Sequence, residues 1–301
     1  MLIKMKLWKI LRAFVVLGVL CCIIIYNYKH KRQTRSVILA SWFTYDTDPQ
    51  RGIYVSKGID YIWNFYATAR YLKLNVVIFH DHLSNDFVSK YTTETILFER
   101  IVPIKSFCPN DLRFIIYKNY VEKHPTYDWI LMTDASDVFF NNDPLSYMGY
   151  HKQDNLLYMS PDTGTFGSNS WMTATLKRCY PDRVKSWKNE WKLQIYNCGV
   201  WGGYKPVVLC LLRCIQTQFE HYLKGRGLCD MAAVNWCAHF GNCADEKDLS
   251  MDNVKSSFVN AFREQCNNST YSIIHNKCPG TEGLIRLGVV KGTIEYNPRK
   301  V

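Results

Sequence analysis

The chain has 301 residues, 48% hydrophobic and 15% aromatic. That is enough for a sizeable core and too apolar for a mostly disordered chain. The formal charge of +11 suggests a nucleic-acid partner, but eight basic residues precede Ser36 and no acidic residue precedes Asp46, which leaves 29 basic against 26 acidic residues, a net of +3, for the remainder; an excess that belongs mainly to the flanks of one apolar segment argues against nucleic acid.

That segment runs from Ala13 to Tyr28 without a charge, and Leu7, Trp8, Ile10 and Leu11 extend it to the roughly 20 apolar residues that span a bilayer. Lys9 and Arg12 lie near one end, where long side chains can snorkel. A cleaved signal peptide is the alternative, but no small-x-small cleavage site follows; the segment closes on Tyr26, Asn27 and Tyr28. The expected organisation is a cytosolic tail at 1–12, a transmembrane signal anchor at 13–28, a short stem at 29–36 and one luminal domain at 37–301. Four Lys/Arg precede the span and four follow it closely, so charge does not orient it. Two overlapping glycosylation sequons in Asn267-Asn268-Ser269-Thr270 point to the lumen. So do the ten cysteines after the span, an even set suited to disulfides in an oxidising compartment. Zinc is the rival use, but there is no CxxC pair and no usual zinc spacing.

Along the luminal part, strand and helix signals alternate. The apolar run at 37–40 predicts a buried parallel strand, and Ile59, Ile62, Trp63, Tyr66 and Ala69 give a helical spacing within 53–72. Strands follow at 76–79 and 96–102, then a helix at 109–123 with Pro109 in its first turn, then a strand at 129–132. Further on, 164–170 reads as a loop, 199–203 as a strand with a turn, and 207–223 and 228–240 as helices. Strands alternating with helices argue an α/β fold with a mostly parallel sheet flanked by helices.

The strand at 129–132 runs directly into Thr133-Asp134-Ala135-Ser136-Asp137. In open α/β sheets, ligands bind at the carboxyl ends of strands. Two carboxylates so close repel one another unless a cation lies between them, and Mn²⁺ or Mg²⁺ there would neutralise a departing diphosphate. Turn and capping roles are the other reading of the same aspartates.

In the form Thr-Asp-x-x-Asp-Val-x-Phe, this stretch resembles the DxD element of GT-A glycosyltransferases, with the aspartates three apart and Ser136 at the usual second position. Three further elements occur in the order found in the glycogenin and galactinol synthase relatives. Asn197-Cys198-Gly199 is similar to their Asn-Ala-Gly segment; a tight turn is its other reading. Asp230-Met231-Ala-Ala-Val-Asn235 is similar to their Asp-Gln-x-x-x-Asn helix start, with Met231 in place of Gln; an N-terminal cap is the alternative. His275-Asn-Lys277-Cys-Pro-Gly280 is similar to their late His followed by Gly and Lys; a structural histidine is the alternative.

The resemblance implies a GT-A-like sheet behind one N-terminal membrane helix, in a single-pass type II Golgi membrane enzyme. It implies Asp134, Asp137 and His275 as ligands of Mn²⁺ or Mg²⁺, a nucleoside diphosphate sugar as donor, and Asn197, Gly199 and Lys277 as donor contacts. Asp230 would lie beside the reacting sugar, as base if the reaction inverts or as stabiliser of an oxocarbenium-like species if it retains. Ser41 and Trp42, at the end of the first strand, are candidates for a base pocket. Arg113 is a candidate partner for phosphate or for a site carboxylate, with a salt bridge or cap as the alternative. The acceptor would be a hydroxyl on a glycan or glycoprotein. An inactive luminal binding protein and a metal-dependent phosphohydrolase are the competing functions.

Overall fold

The computed structural model describes residues 35–48, 52–145, 157–223 and 225–241, with the backbone of Val254–Lys255 and Ile273–His275. Two compact units divide the chain, Met1–Arg35 and Ser36–Val301, and every strand and helix among the described residues belongs to the second. The expected anchor at 13–28, its tail and most of the stem lie outside the described residues. Among those described, no helix is long and apolar enough to cross a membrane.

Strands β1 (Ser36–Trp42), β2 (Val76–His80), β3 (Ile96–Arg100) and β4 (Trp129–Thr133) form the first part of a mixed, mostly parallel sheet. β5 (Val138–Phe140) leaves it. β6 (Leu157–Thr165), β7 (Gln194–Tyr204) and β8 (Val254–Lys255) complete it in the order β3-β2-β1-β4-β7-β6-β8. β1 pairs in parallel with β2 on one side and β4 on the other, whereas β7 is antiparallel to both β4 and β6. β9 (Ile273–His275) pairs antiparallel with β5 in a small second sheet.

Both faces of the central strands are covered, which is why the parallel strands β1, β2 and β4 read as largely apolar runs. Val37, Leu39, Ile130 and Met132 face one core. There they meet α3 (Pro109–Lys123), α5 (Lys205–His221) and α6 (Asp230–Phe240). Ile38, Ala40, Trp129 and Leu131 face the other, built on α1 (Trp63–Tyr71) and bordered by α2 (Asn85–Tyr91). α4 (Ser170–Cys179) packs into the first core through Met172 and Leu176. Two disulfides hold the helices of that face, Cys179–Cys229 and Cys214–Cys237, and Cys210 is also disulfide-bonded.

Three expectations change. The helix foreseen from residue 53 begins only at Ile59, with a single 3-10 turn before α1. Tyr54 instead bridges to Thr47, and Asp48 N–H donates to the Ile53 carbonyl at 2.8 Å, so local hydrogen bonds hold this stretch extended. The turn foreseen at 199–203 is absent: β7 is one strand of 11 residues. Gly202 is needed there because a Cβ would collide with the Ile130 carbonyl and lie 2.8 Å from Leu131 Cα on β4. Two cysteines of the expected disulfide set, Cys108 and Cys198, are free thiols.

Candidate functional site

After β1 the chain passes to β2 and β3 on one side and then crosses to β4 on the other. Such a reversal opens a crevice at the carboxyl ends of β1 and β4. Asp134 is the first residue past β4, and its N–H donates to Gly199 O, extending the β4–β7 ladder by one bond. β7 is bulged opposite the same point. Met159 pairs with Trp201 and the next residue, Ser160, with Asn197, so Cys198, Gly199 and Val200 have no partner on β6. Bulges of this kind re-aim side chains. Here Asn197 Oδ1 accepts from Gly199 N–H at 2.8 Å, closing the bulge on itself.

Arg113 lies one turn into α3, where Pro109 at the helix start has already fixed the backbone. Its Nη1 is bonded to Asp134 Oδ1. Its Nη2 donates to Asp230 Oδ2 at 3.1 Å and to Cys198 Sγ at 3.3 Å. Cys198 Sγ in turn lies 3.4 Å from Asp230 Oδ2 as a donor. One guanidinium thus gathers residues of β4, β7, α3 and α6. Burial alone would weaken its charge, but Asp134, Cys198 and Asp230 hold its pKa well above the ordinary arginine value. Burial pushes the Cys198 thiol up as well, with Asp230 adding to the effect, so it stays protonated.

Asp230 opens α6, which has no side-chain cap of its own. Asp111 from α3 supplies one: its Oδ1 accepts from Cys229 N–H at 3.0 Å. Burial, with Asp230 close by, pushes the Asp111 carboxyl up to about 7. Asp230 is 1% exposed, and its Oδ1 is buried without a hydrogen-bond partner among the described residues. Its Oδ2 is held by two groups, so the two oxygens have different duties.

The structure therefore brings together Arg113, Asn197, Gly199, Asp134 and Asp230. Asp137 stands at the start of β5, half-buried. On the neighbouring strand β9, His275 is registered opposite Val138, one residue beyond Asp137. The His275 side chain and all of Lys277 lie outside the described residues. Among those described, no three His, Cys, Asp or Glu side chains form a metal-holding group. Ser41 is half-buried beside the Tyr117 hydroxyl at the end of β1. Trp42 is a core side chain rather than an open base platform. It is 1% exposed, stacked on Tyr61, edge-on to Phe87, and donates from Nε1 to Ser56 O at 2.8 Å.

Sequence reasoning treated Cys198 as a disulfide candidate and Asp111 as part of a helix start. Pro109 marked the start of α3, but nothing local indicates that Asp111 and Arg113 reach the start of α6. No family model matches the sequence, and no curated protein matches it significantly.

Proposed function

We propose that the chain is a glycosyltransferase of GT-A type that moves a sugar from a nucleoside diphosphate donor to a hydroxyl of a glycan or glycoprotein, as a single-pass type II protein of the Golgi membrane. One observation carries the reading: Arg113 joins Asp134, at the carboxyl end of β4, to Asp230, at the start of α6, across the crevice of a mostly parallel sheet. Three of the four motifs that resemble the family are far apart in sequence and meet on this one side chain, through Asp134, Cys198 and Asp230.

In this reading Asp134, Asp137 and His275 would hold Mn²⁺ or Mg²⁺. The two carboxylates would supply the oxygen donors that suit Mn²⁺ or Mg²⁺, and β9 pairs with β5 so that His275 is registered opposite Val138, the residue after Asp137. The ion, when bound, neutralises charge on the leaving diphosphate. Arg113 supplies a second positive charge from the protein. Asp230 Oδ1, buried and without a hydrogen-bond partner among the described residues, would be the atom that accepts from the donor sugar or the attacking hydroxyl. Cys198 and Arg113 fix its other oxygen.

A second reading rests on the same network. Arg113 already pairs with both Asp134 and Asp230, so part of the cluster's negative charge is offset without a cation. That favours a binding protein that keeps the fold without the chemistry. The deciding experiment screens the purified full chain against nucleotide sugars, with Mn²⁺ present and absent. Metal-dependent turnover that is lost in Asp230→Asn supports the enzyme. Metal-dependent nucleotide binding without turnover supports the binding protein. Release of phosphate from simple esters, with no preference among nucleotide sugars, would instead make it a phosphohydrolase.

A further inference from the structure

The exposed edge of α4 carries an aromatic ring at one end and positive charge at the other. Trp171, Ala174, Lys177 and Arg178 face solvent along it, a stripe at helical spacing that rises about 10 Å. Trp171 is 44% exposed. Beyond the helix, the turn Gly225-Arg226-Gly227-Leu228 adds a third cation. Arg178 Nη2 donates to Leu228 O at 2.7 Å, and Arg226 Nη1 donates to Arg178 O at 2.9 Å. The disulfide Cys179–Cys229 joins the residues that follow Arg178 and Leu228. Gly225, Gly227 and Leu228 have φ of 74°, 56° and 45°, a left-handed backbone that is unfavourable for leucine. A Cβ on either glycine would meet nothing within 4 Å, so the glycines serve the backbone shape and the turn stands open to solvent.

Helix capping does not account for so much charge. A helix C-terminus is equivalent to roughly half a negative charge, whereas Lys177, Arg178 and Arg226 all gather at this one. Among the described residues, no ion pair involves any of the three. Asp182, whose ionisation Lys185 and, more weakly, Arg226 favour, is bonded to Lys185 Nζ at 2.8 Å. Backbone carbonyls therefore fix the two guanidinium groups in place without neutralising them.

We propose that the exposed edge of α4 and the turn at 225–228 bind an acidic glycan, a sugar chain bearing carboxylate or sulfate groups, and present it as acceptor to Asp230. The acceptor role rests on the reading of Asp230 as the residue beside the reacting sugar. Carboxylate and sulfate oxygens match the guanidinium forks of Arg178 and Arg226. A sugar ring has a face of C–H groups that packs on the electron-rich face of an indole, and Trp171 offers one. An acidic peptide would use the cations and leave Trp171 uncovered. Nucleic acid both stacks and carries charge, but a surface stapled by a disulfide belongs to an oxidising compartment, where acidic glycans are the polyanions at hand. Arg226 precedes Asp230 by four residues, at most about 14 Å of chain, a span that a sugar chain held on the turn can cover.

Calorimetry on the full chain measures binding of a sulfated heparin hexasaccharide, with a polyglutamate peptide and a single-stranded DNA of equal charge for comparison. Wild type is expected to bind the hexasaccharide more tightly than either. Arg178→Gln with Arg226→Gln should weaken that binding at least about tenfold, the size of one lost charge-assisted bond. The charge-matched control, Lys57→Gln with Lys105→Gln at two other exposed lysines, should change it little. Trp171→Ala should weaken hexasaccharide binding about three- to tenfold and peptide binding not at all. Trp171→Ala with Lys177→Gln spares the hydrogen bonds that hold the turn, and carries the expectation if the arginine variant does not fold. No binding of the hexasaccharide, equal losses in control and surface variants, or tighter binding of peptide or DNA overturns the proposal. Transfer from a panel of uridine diphosphate sugars to the hexasaccharide then tests the acceptor role. A KM for the hexasaccharide raised by the surface variants, with donor hydrolysis unchanged, supports it. Turnover with an acceptor KM indifferent to those variants overturns the role and leaves the transferase reading intact. Surface-dependent binding without turnover of any sugar nucleotide overturns the transferase reading and the acceptor role, and upholds the glycan surface alone.

Discussion

Asn235 grips Tyr196 by both polar atoms of its backbone: the side-chain Oδ1 accepts from Tyr196 N–H at 2.7 Å and Nδ2 donates to Tyr196 O at 2.8 Å. A buried amide on α6 thus bonds the Tyr196 backbone of β7 as a neighbouring strand would. It fixes α6 over β7 one and a half turns from Asp230, and so sets the distance between Asp230 and Cys198. Leaving both backbone groups unmatched in a buried position costs about 1–3 kcal/mol per group. Asn235→Ala should lower the unfolding free energy by about 2–6 kcal/mol, measured by urea denaturation. Asn235→Asp should do no better, because a carboxylate cannot donate to the Tyr196 carbonyl. Wild-type stability in either variant would mean that the bracket holds nothing.

Asp111 makes stability depend on pH in an unusual direction. Its carboxyl is pushed up to about 7 by burial and by the nearby Asp230, whereas an aspartate in an unfolded chain ionises near about 3.9. Between about pH 4 and pH 7 the folded protein keeps a proton that the unfolded chain releases, so rising pH favours unfolding. The contribution is complete below about pH 4 and is lost as pH rises through about 7. Asp111→Asn keeps an oxygen for Cys229 N–H and has no proton to lose. Across this window its stability relative to wild type should climb with pH, read from urea unfolding at several pH values. A constant difference would show that the Asp111 carboxyl ionises as in the unfolded chain.

Much of this arrangement was legible in the sequence, and the parts that were not share a cause. The strands β1, β2 and β4 announced themselves because both their faces are buried, and Pro109 marked the start of α3 to the residue. The short helix α2 buries no residue and has only a Ser84 cap accepting from Phe87 N–H, so it gave no periodicity. β6 mixes apolar residues with Ser160, Pro161 and Asp162 around two register shifts, which hides its alternation. The site residues were named as separate local motifs. That they converge on Arg113 depends on the start of α3 meeting the start of α6, a tertiary fact with no local trace. Trp42 misled for the opposite reason: an aromatic residue at a strand's carboxyl end suggests a ligand platform, but the chain around Tyr61 and Phe87 folds back and buries it.

Gly202 tests how tightly the site depends on the sheet beneath it. It pairs with Leu131, two residues before the Thr133–Val200 pair that leads into Asp134. The methyl of Gly202→Ala would meet the Ile130 carbonyl and Leu131 Cα, neither of which has room to yield except by separating β4 from β7. Overpacking of this kind costs about 1–3 kcal/mol, and the strain falls on the strand that carries Asp134. The variant should unfold at lower urea concentration and bind nucleotide more weakly if Asp134 serves the donor. An unchanged urea midpoint would show that the two strands have slack.

Both disulfides described converge on α6. Cys229 immediately precedes Asp230 and is tied to Cys179 at the end of α4, while Cys237, near the helix end, is tied to Cys214 in α5. Their sequence separations of 50 and 23 residues correspond in the chain-entropy account to about 3–4 kcal/mol each. The two bonds differ in what they position. Replacing Cys214 and Cys237 by Ser should cost stability while leaving the start of α6 capped by Asp111. Replacing Cys179 and Cys229 by Ser should cost a similar amount and also loosen the segment from Gly227 to Asp230, where Leu228 has a left-handed φ of 45° that its neighbours must hold. Amide hydrogen exchange separates the two. Only the Cys179/Cys229 variant should show faster exchange at Cys229→Ser and Asp230 under conditions where global unfolding is negligible. Equal local protection in both variants would mean that the Asp111 cap and the Arg113 pair suffice to hold Asp230 without the covalent tie.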